Sequence, residues 1–230
     1  GAPLVPAFHN AVFASDDKHR ALVNIGGIAN VSMLAPKQDA SPPKGFDTGP
    51  GNTLMDQWIS LHLNKSFDKD GAWAASGHCH SGLLDRLLLD DYFALPAPKS
   101  TGREYFNINW LSNALANYFP SRAELQSEEK NNNLAPKDVQ ATLLSLTGST
   151  IAQEIVKHFP KTNREGAKSE VIVCGGGAFM RAAAAAIRRQ RRWKQTRSHW
   201  IEERLSMVGA APQNIQRPAL ASRGSWCRRA

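Results

Sequence analysis

Residues 21–35 read ALVNIGGIANVSMLA. Two runs with β-branched content, 21–26 and 30–35, flank a turn that carries Gly26, Gly27 and Ile28, and this pattern predicts a strand–turn–strand hairpin. Downstream, a Pro, Ser and Asp loop over 37–44 leads into Gly45–Asp47, which fits a third short strand. From Asn52 onward, Leu54, Met55, Trp58, Ile59 and Leu61 fall at helical spacing on one face. Asn52 or Thr53 is the expected N-cap, and Gly51 allows a tight entry. Residues 81–93 (SGLLDRLLLDDYF) predict one leucine-rich helix, and 109–119 a further one. Asp138 is expected to cap a long helix reaching about Phe159, with Val139, Leu143, Leu146, Ile151, Ile155 and Val156 mostly inside. EVIVCGGGAF (170–179) reads as a buried strand breaking into three glycines. The order of hairpin, helices, long helix and strand is that of an α/β fold.

Composition sets the outer bounds. With 230 residues, 42% hydrophobic and 8% aromatic, the chain can bury a core of ordinary globular kind. No apolar run approaches the roughly 20 residues a bilayer crossing needs, so no membrane span is expected. Residues 1–17 lack the basic and apolar segments of a secretory signal. Cys79, Cys174 and Cys227 are odd in number and far apart, which argues against a disulfide framework and for a cytoplasmic protein. The net charge of +8 is unevenly spread: residues 180–230 hold 12 Lys or Arg against two Glu, leaving 16 basic and 18 acidic residues in 1–179. The body is slightly acidic and does not read as a basic nucleic-acid platform.

Three glycine-bearing turns stand at strand ends or helix starts: NIGGIAN (24–30), DTGPGN (47–52) and CGGGAF (174–179). Glycines there let backbone N–H groups approach phosphate oxygens. None of the three is a Walker A loop or a Rossmann GxGxxG. Asp47 and Asp56 admit two readings: partners for Mg²⁺ or a substrate hydroxyl, or a turn cap and an exposed first-turn acid respectively. Lys99, Ser100, Thr101, Arg103 and Glu104 gather charges and hydroxyls in one loop shaped by Gly102. His78–Cys79–His80 offers metal-ligand types without a second cluster at zinc-like spacing, and Asp68–Gly71 resembles an EF-hand start with no closing Glu, so no structural metal site is expected. No Ser/His/Asp or Cys/His spacing points to a nucleophile.

Taken together, GAPLVPAFH, LVNIGGIANVSML, GFDTGPGNTLMDQWI, FDKDGAWAASG, PAPKSTGREYFN, DVQATLLSLT and VIVCGGGA resemble, in order across residues 1 to about 179, the anhydro-N-acetylmuramic acid kinases. The resemblance implies an RNase H-like lobe of the actin/hexokinase ATPase type. It is the second lobe of a two-lobe kinase, with a polar insertion over 121–137. It further implies ATP and Mg²⁺ as cofactors, a small sugar substrate, a homodimer, and a place in peptidoglycan recycling. In that reaction the 1,6-anhydro ring of anhydro-N-acetylmuramic acid is opened by water and O6 is phosphorylated, giving N-acetylmuramic acid 6-phosphate. ATP and its phosphates are then expected at Asn24, Gly26, Gly27, Gly49, Gly51, Asn52, Gly175, Gly176 and Gly177. Asn24–Asn30 corresponds to the second phosphate-binding hairpin and 174–179 to the adenosine-side turn. Asp47, Thr48, Asp56, Lys99, Ser100, Thr101, Arg103 and Glu104 are the candidates for substrate or Mg²⁺. The GAPLVP segment opens at Gly1, and the family's SGTSxDG-like first phosphate loop and its general-base Asp belong upstream of Gly1. The sequence therefore reads as truncated at its N-terminus, no catalytic base is named, and the isolated chain is expected to be inactive. The alternative readings are an inactive fragment or pseudogene product, and a nucleic-acid-binding protein acting through its basic tail.

Residues 180–230 form an Arg-rich, divergent segment. HWIEE (199–203) fits the family, whereas RLSMVGA (204–210) does not. A one-nucleotide shift of the codons for 204–210 permits Ala-Phe-x-Trp-Leu-Ala, so the reading frame is expected to slip near Glu203, with a second candidate slip between Phe179 and His199; the alternative is a genuine basic tail that recruits an acidic partner. Resequencing the DNA tests this: a shifted frame encoding the family's segment is the expected result, and an uninterrupted frame without it refutes the slip.

Overall fold

The structure is a computed structural model and describes residues 4–118, 134–159, 168–179 and 205–207. The predicted hairpin is present as β1 (Lys18–Ile25) and β2 (Ile28–Leu34), paired antiparallel with Val23 opposite Val31. The third strand, β3 (Lys44–Pro50), pairs antiparallel with β2, and its register shifts at Ala29/Asn30 so that Thr48 becomes the extra residue of a bulge. After the helices, β4 (Lys168–Cys174) returns parallel to β1, and β5 (Leu205–Met207) lies parallel to β4. The described residues thus build a five-stranded sheet in the order β3-β2-β1-β4-β5. Gly1, the point upstream of which the general base is expected, lies outside the described residues, as do residues 2 and 3. So do residues 119–133, which include most of the polar insertion, and the rest of 180–230.

Successive strand residues face opposite sides of a sheet. Ala21, Val23, Ile25, Ala29, Val31, Phe46, Val171 and Val173 therefore join the main core, packed against the helices between β3 and β4. Ser32 faces the other side, where its hydroxyl meets His9 Nδ1 at 2.9 Å on α1 (Leu4–Phe13). Pro6 in the first turn obscured α1 in the sequence, although proline is tolerated there.

The core helices are α2 (Thr53–Leu63), α3 (Ala72–Ala75), α4 (Ser81–Leu87), α5 (Asp91–Ala94), α6 (Ile108–Tyr118) and α7 (Pro136–His158). On α2, Leu54, Met55, Trp58 and Ile59 are buried as expected, but Leu61 is 65% exposed. Leu61, His62 and Leu63 in the last turn of α2 are all exposed, and the His62 ring lies against Trp58 at 4.1 Å between rings. The single helix expected over 81–93 is two helices. Asp90 interrupts it, capping α5 through Tyr92 N–H while also receiving Trp110 Nε1–H and Tyr105 O–H. α7 starts at Pro136 with Ala135 as N-cap, so Asp138 does not cap it and instead accepts from the backbone N–H of His78 at 2.8 Å. Five of the six apolar residues expected inside α7 are buried, and Val156 is 37% exposed.

α7 carries polar side chains into the core, and each of the following is held. Thr147 Oγ1 donates toward Pro50 O and Gly51 O, both at 3.0 Å. Glu154 Oε1 receives Lys99 Nζ at 2.8 Å, with both side chains almost wholly buried. Removing one partner of such a pair leaves an uncompensated charge inside. Lys99→Met is therefore expected to lower the unfolding free energy by about 3–5 kcal/mol. Lys99→Met/Glu154→Leu should recover most of that loss, and urea melts of both variants check it.

Candidate functional site

The three glycine turns meet at one place. The carbonyls of Gly26 and Gly27, in the β1–β2 turn, accept from the N–H groups that open α2: Gly51 N–H to Gly27 O at 2.9 Å, Asn52 N–H to Gly26 O at 2.8 Å, and Thr53 N–H to Gly27 O at 3.1 Å. A side chain at Gly51 would strike Gly26 O, so only glycine lets the two segments close. From the other side, Gly175 takes φ +87°, where a Cβ would strike Asn24 Oδ1 and Ile25 O, and a Cβ at Gly177 would strike Ile25. A Cβ at Gly177 would come within 2.7 Å of Asn52 Oδ1. Asn24, Gly26, Gly27, Gly51, Asn52, Gly175, Gly176 and Gly177 thus share one junction at the end of the sheet.

Asn52 occupies the N-cap position of α2, yet its side chain makes no capping bond. Its Oδ1, and the Oδ1 of Asp56 one turn on, are buried with no hydrogen-bond partner among the described residues. The two residues stand one turn apart at the start of α2, a spacing that places them on one face. Desolvation pushes the Asp56 carboxyl up to about 6, with Arg103 opposing the shift and Asp68 adding to it. The Arg103 guanidinium lies directly over Gly27, where a Cβ would overlap it. The junction therefore presents a cation beside a glycine turn, and two acceptor oxygens that lack donors. An anion bearing a bound hard cation, or one with hydroxyl groups, complements both.

The remaining sequence candidates lie beside this junction in structural roles. Thr48 is fully buried, and its hydroxyl donates to Ala29 O at 3.2 Å, pinning the bulge. Gly49 gives room to the Phe93 ring. Asp47 Oδ2 accepts from Ser100 Oγ and from Thr101 N–H, both at 3.0 Å, which ties the loop to β3. Lys99, expected to face a ligand, is buried instead: its ammonium reaches Glu154 and the carbonyls of Tyr92 and Phe93. Glu104 is exposed and its carboxylate folds back over Gly102. In the 78–80 cluster, His78 and Cys79 are exposed, and His80 caps α4 through Leu83 N–H. Among the described residues no group of three metal-ligand side chains gathers, and no helix is long and apolar enough to cross a membrane.

Two polar groups of this region escaped the sequence reading. Asp68 is 3% exposed and accepts from Trp73 N–H and Ala74 N–H, both at 2.9 Å, thereby capping α3. The signal was Asp68 four residues before an Ala-Trp-Ala-Ala run, but the intervening Asp70 and Gly71, both at positive φ, masked a helix start. Glu154 lies on an otherwise inward face of α7, where it meets Lys99 at Oε1 and has His158 Nδ1 3.3 Å from Oε2.

A family model described as anhydro-N-acetylmuramic acid kinase matches residues 1–197. The anhydro-N-acetylmuramic acid kinase of Pseudomonas syringae is 48% identical over 182 residues, 79% of this chain and 44% of that protein. That of Haemophilus influenzae is 48% identical over 181 residues, covering 77% and 44%. The one from Acinetobacter baylyi is 41% identical over 221 residues, 96% of this chain and 55% of its own length. The chain spans about half the length of the curated relatives it matches.

The raised Asp56 carboxyl has a consequence for stability. Its ordinary value is 3.8 and its folded value about 6, so the folded state holds the proton more tightly than the unfolded one. Stability from this group is full below about pH 4 and is lost as pH rises through about 6. Asp56→Asn abolishes that loss: its melting temperature should rise relative to the unsubstituted chain between pH 4 and 7. A gap that stays constant across that range contradicts the assignment.

Proposed function

The chain belongs to the anhydro-N-acetylmuramic acid kinase family, and from that membership we propose that it forms the RNase H-like, ATP-clasping lobe of such an enzyme. The sheet order β3-β2-β1-β4-β5 and the position of α7 between β3 and β4 are consistent with that lobe. The reaction proposed is phosphorylation of 1,6-anhydro-N-acetylmuramic acid at O6 with opening of its anhydro ring by water, in the cytoplasm, by a homodimer. It is the activity of the whole enzyme, of which this chain spans about half.

The observation that carries the reading is the convergence of the three glycine turns, with Arg103 lying over Gly27 in one of them. Phosphoryl transfer needs positioning and charge stabilisation more than covalent help from the protein. A trans peptide points its carbonyl and the next N–H in opposite directions. With the carbonyls of Gly26 and Gly27 turned to α2, the N–H groups of Gly27 and Ile28 turn away from it, toward where phosphate oxygens would lie. Arg103 supplies the positive charge above the same turn. The amides of Gly51 and Asn52 are already bonded to the hairpin, so these two residues act by closing the turn rather than by holding phosphate. On the far side, the Gly175–Gly177 turn is assigned to the adenosine end.

The orphaned oxygens of Asn52 and Asp56 fit a divalent cation, since Mg²⁺ takes oxygen ligands, commonly one or two carboxylates with water and phosphate completing the shell. Bound there, Mg²⁺ would neutralise charge on the phosphate oxygens. The base that activates the water, expected upstream of Gly1, is assigned to no residue of this chain. Asp47 is bonded to Ser100 and Thr101, and Asp68 to three N–H donors.

Titration calorimetry with a non-hydrolysable ATP analogue tests the reading. Binding should depend on Mg²⁺ and weaken by about tenfold in Arg103→Ala. Asp56→Asn should bind without the Mg²⁺ dependence. Binding that is absent, or unaltered in both variants, removes the proposal. With anhydro-N-acetylmuramic acid and ATP, residues 1–230 alone should give no turnover, and turnover would place a base within this chain.

A further inference from the structure

Residues 99–106 form a short strap whose apex is Arg103, and both ends of that strap enter the same aromatic cluster. At the far end, Phe106 is wholly buried, with its ring 5.4 Å from Tyr92, 5.7 Å from Phe93 and 5.1 Å from Trp110. Gly102 O accepts from Tyr105 N–H at 3.2 Å and from Phe106 N–H at 3.1 Å, closing the turn just after Arg103. At the near end stands Lys99. Its three ammonium protons are matched by three acceptors, Glu154 Oε1 at 2.8 Å and the carbonyls of Tyr92 and Phe93 at 3.3 Å each. Its ammonium also lies 5.0 Å from the centre of the Tyr92 ring. The backbone carbonyl of Lys99 accepts from Asp47 N–H at 2.9 Å, and the next two residues bond Asp47 Oδ2. Tyr92 closes the circuit, its hydroxyl donating to Asp47 O at 2.8 Å.

Arg103 itself is exposed, and among the described residues it forms no ion pair within 4.0 Å. A long side chain in that state keeps its rotamer freedom unless the backbone beneath it is fixed. We propose that Lys99 is a positioning residue: through Glu154 and the Asp47 clamp it fixes the strap so that Arg103 stays over Gly27. The effect on ligands rests on the kinase reading above, whereas the placement of Arg103 does not. Lys99 thus acts on the anion through Arg103 and not by contact, since its head is sealed among α5 and α7 groups. A purely structural ion pair would behave differently. Its loss would lower stability and leave Arg103 in place once stability was restored.

The test uses Lys99→Met/Glu154→Leu, which removes both charges together and keeps the interior neutral, with melting temperature checked against the unsubstituted chain. The first readout is the Arg103 side-chain Nε–H signal in ¹⁵N NMR spectra, identified by its disappearance in Arg103→Ala. In the unsubstituted chain it should be shifted from the free-arginine position. In the double variant it should collapse to that position while the melting temperature holds. An Arg103 signal unchanged in a stably folded double variant overturns the proposal. Should the double variant melt early, Lys99→Met/Glu154→Gln, which also keeps the interior neutral and changes the shape at 154 less, is read in the same way.

The second readout is affinity for the ATP analogue, measured with and without Arg103→Ala. Acting through Arg103, the double substitution should weaken binding by about tenfold alone and add nothing further when Arg103 is already gone. Additive losses overturn the proposal. If the unsubstituted chain binds no nucleotide at all, the kinase reading falls, and the Nε–H signal still decides the placement.

Discussion

Three hydrogen bonds between the Gly26–Gly27 turn and the start of α2 set the geometry on which the rest depends. They satisfy α2 N–H groups that have no partner within the helix, a need every helix start must meet somehow. Meeting it with hairpin carbonyls has two effects. α2 is locked against the sheet end, where Leu54, Met55 and Ile59 carry it into the core. The turn amides are also forced outward by the planarity of the peptide. Gly51 is the condition for both, since a methyl group there would collide with Gly26 O. Thr147, from the middle of α7, caps the carbonyls of Pro50 and Gly51 and so ties the central helix to the same point.

Around this point, polar groups divide by whether their bonding is complete. Thr48, Asp68 and Lys99 are buried and matched, and Asp47 is held by the loop it anchors. Such groups stabilise one conformation and have little capacity left for a ligand. Asn52 and Asp56 each keep a buried oxygen without a donor, which is costly in a resting protein. An orphan oxygen does not by itself mark a site. Gln140 keeps one too, with its amide bonded to Asp68 near the start of α3. What distinguishes Asn52 is its company, Gly177 on one side and the hairpin turn on the other.

The hairpin, the long helix and the glycine turns were legible in the sequence because local chemistry determines them. Glycine pairs make turns, β-branched runs make strands, and apolar residues at helical spacing make a buried face. What escaped depends on partners distant in the chain. Asp90 breaks a leucine-rich run because Tyr105 reaches it from the next loop and Trp110 from α6 beyond it. Leu61 fits the apolar face of α2 by spacing, yet no described residue buries it. Asp138 looks like a cap, but Pro136 starts the helix earlier and His78 takes the carboxylate. Spacing cannot register a helix that outruns its core or a carboxylate claimed from 60 residues away.

Lys99 and Arg103 show how far one loop can divide two similar residues. Both are cations in PAPKSTGREYFN, and by residue type both suit a ligand equally well. The ammonium of Lys99 can be buried only with a carboxylate and enough acceptors to replace its water, and Glu154 with two carbonyls provides them. Arg103 stays in solvent, where its charge carries no such penalty and needs no internal partner. Its position over Gly27 gains the fold no close ion pair, only the longer-range attraction of Asp56, while it places an exposed guanidinium above the Gly26–Gly27 turn. A cation held in place with no close ion pair among the described residues is complemented by an anion from outside. The buried pair beneath it is what makes the place fixed.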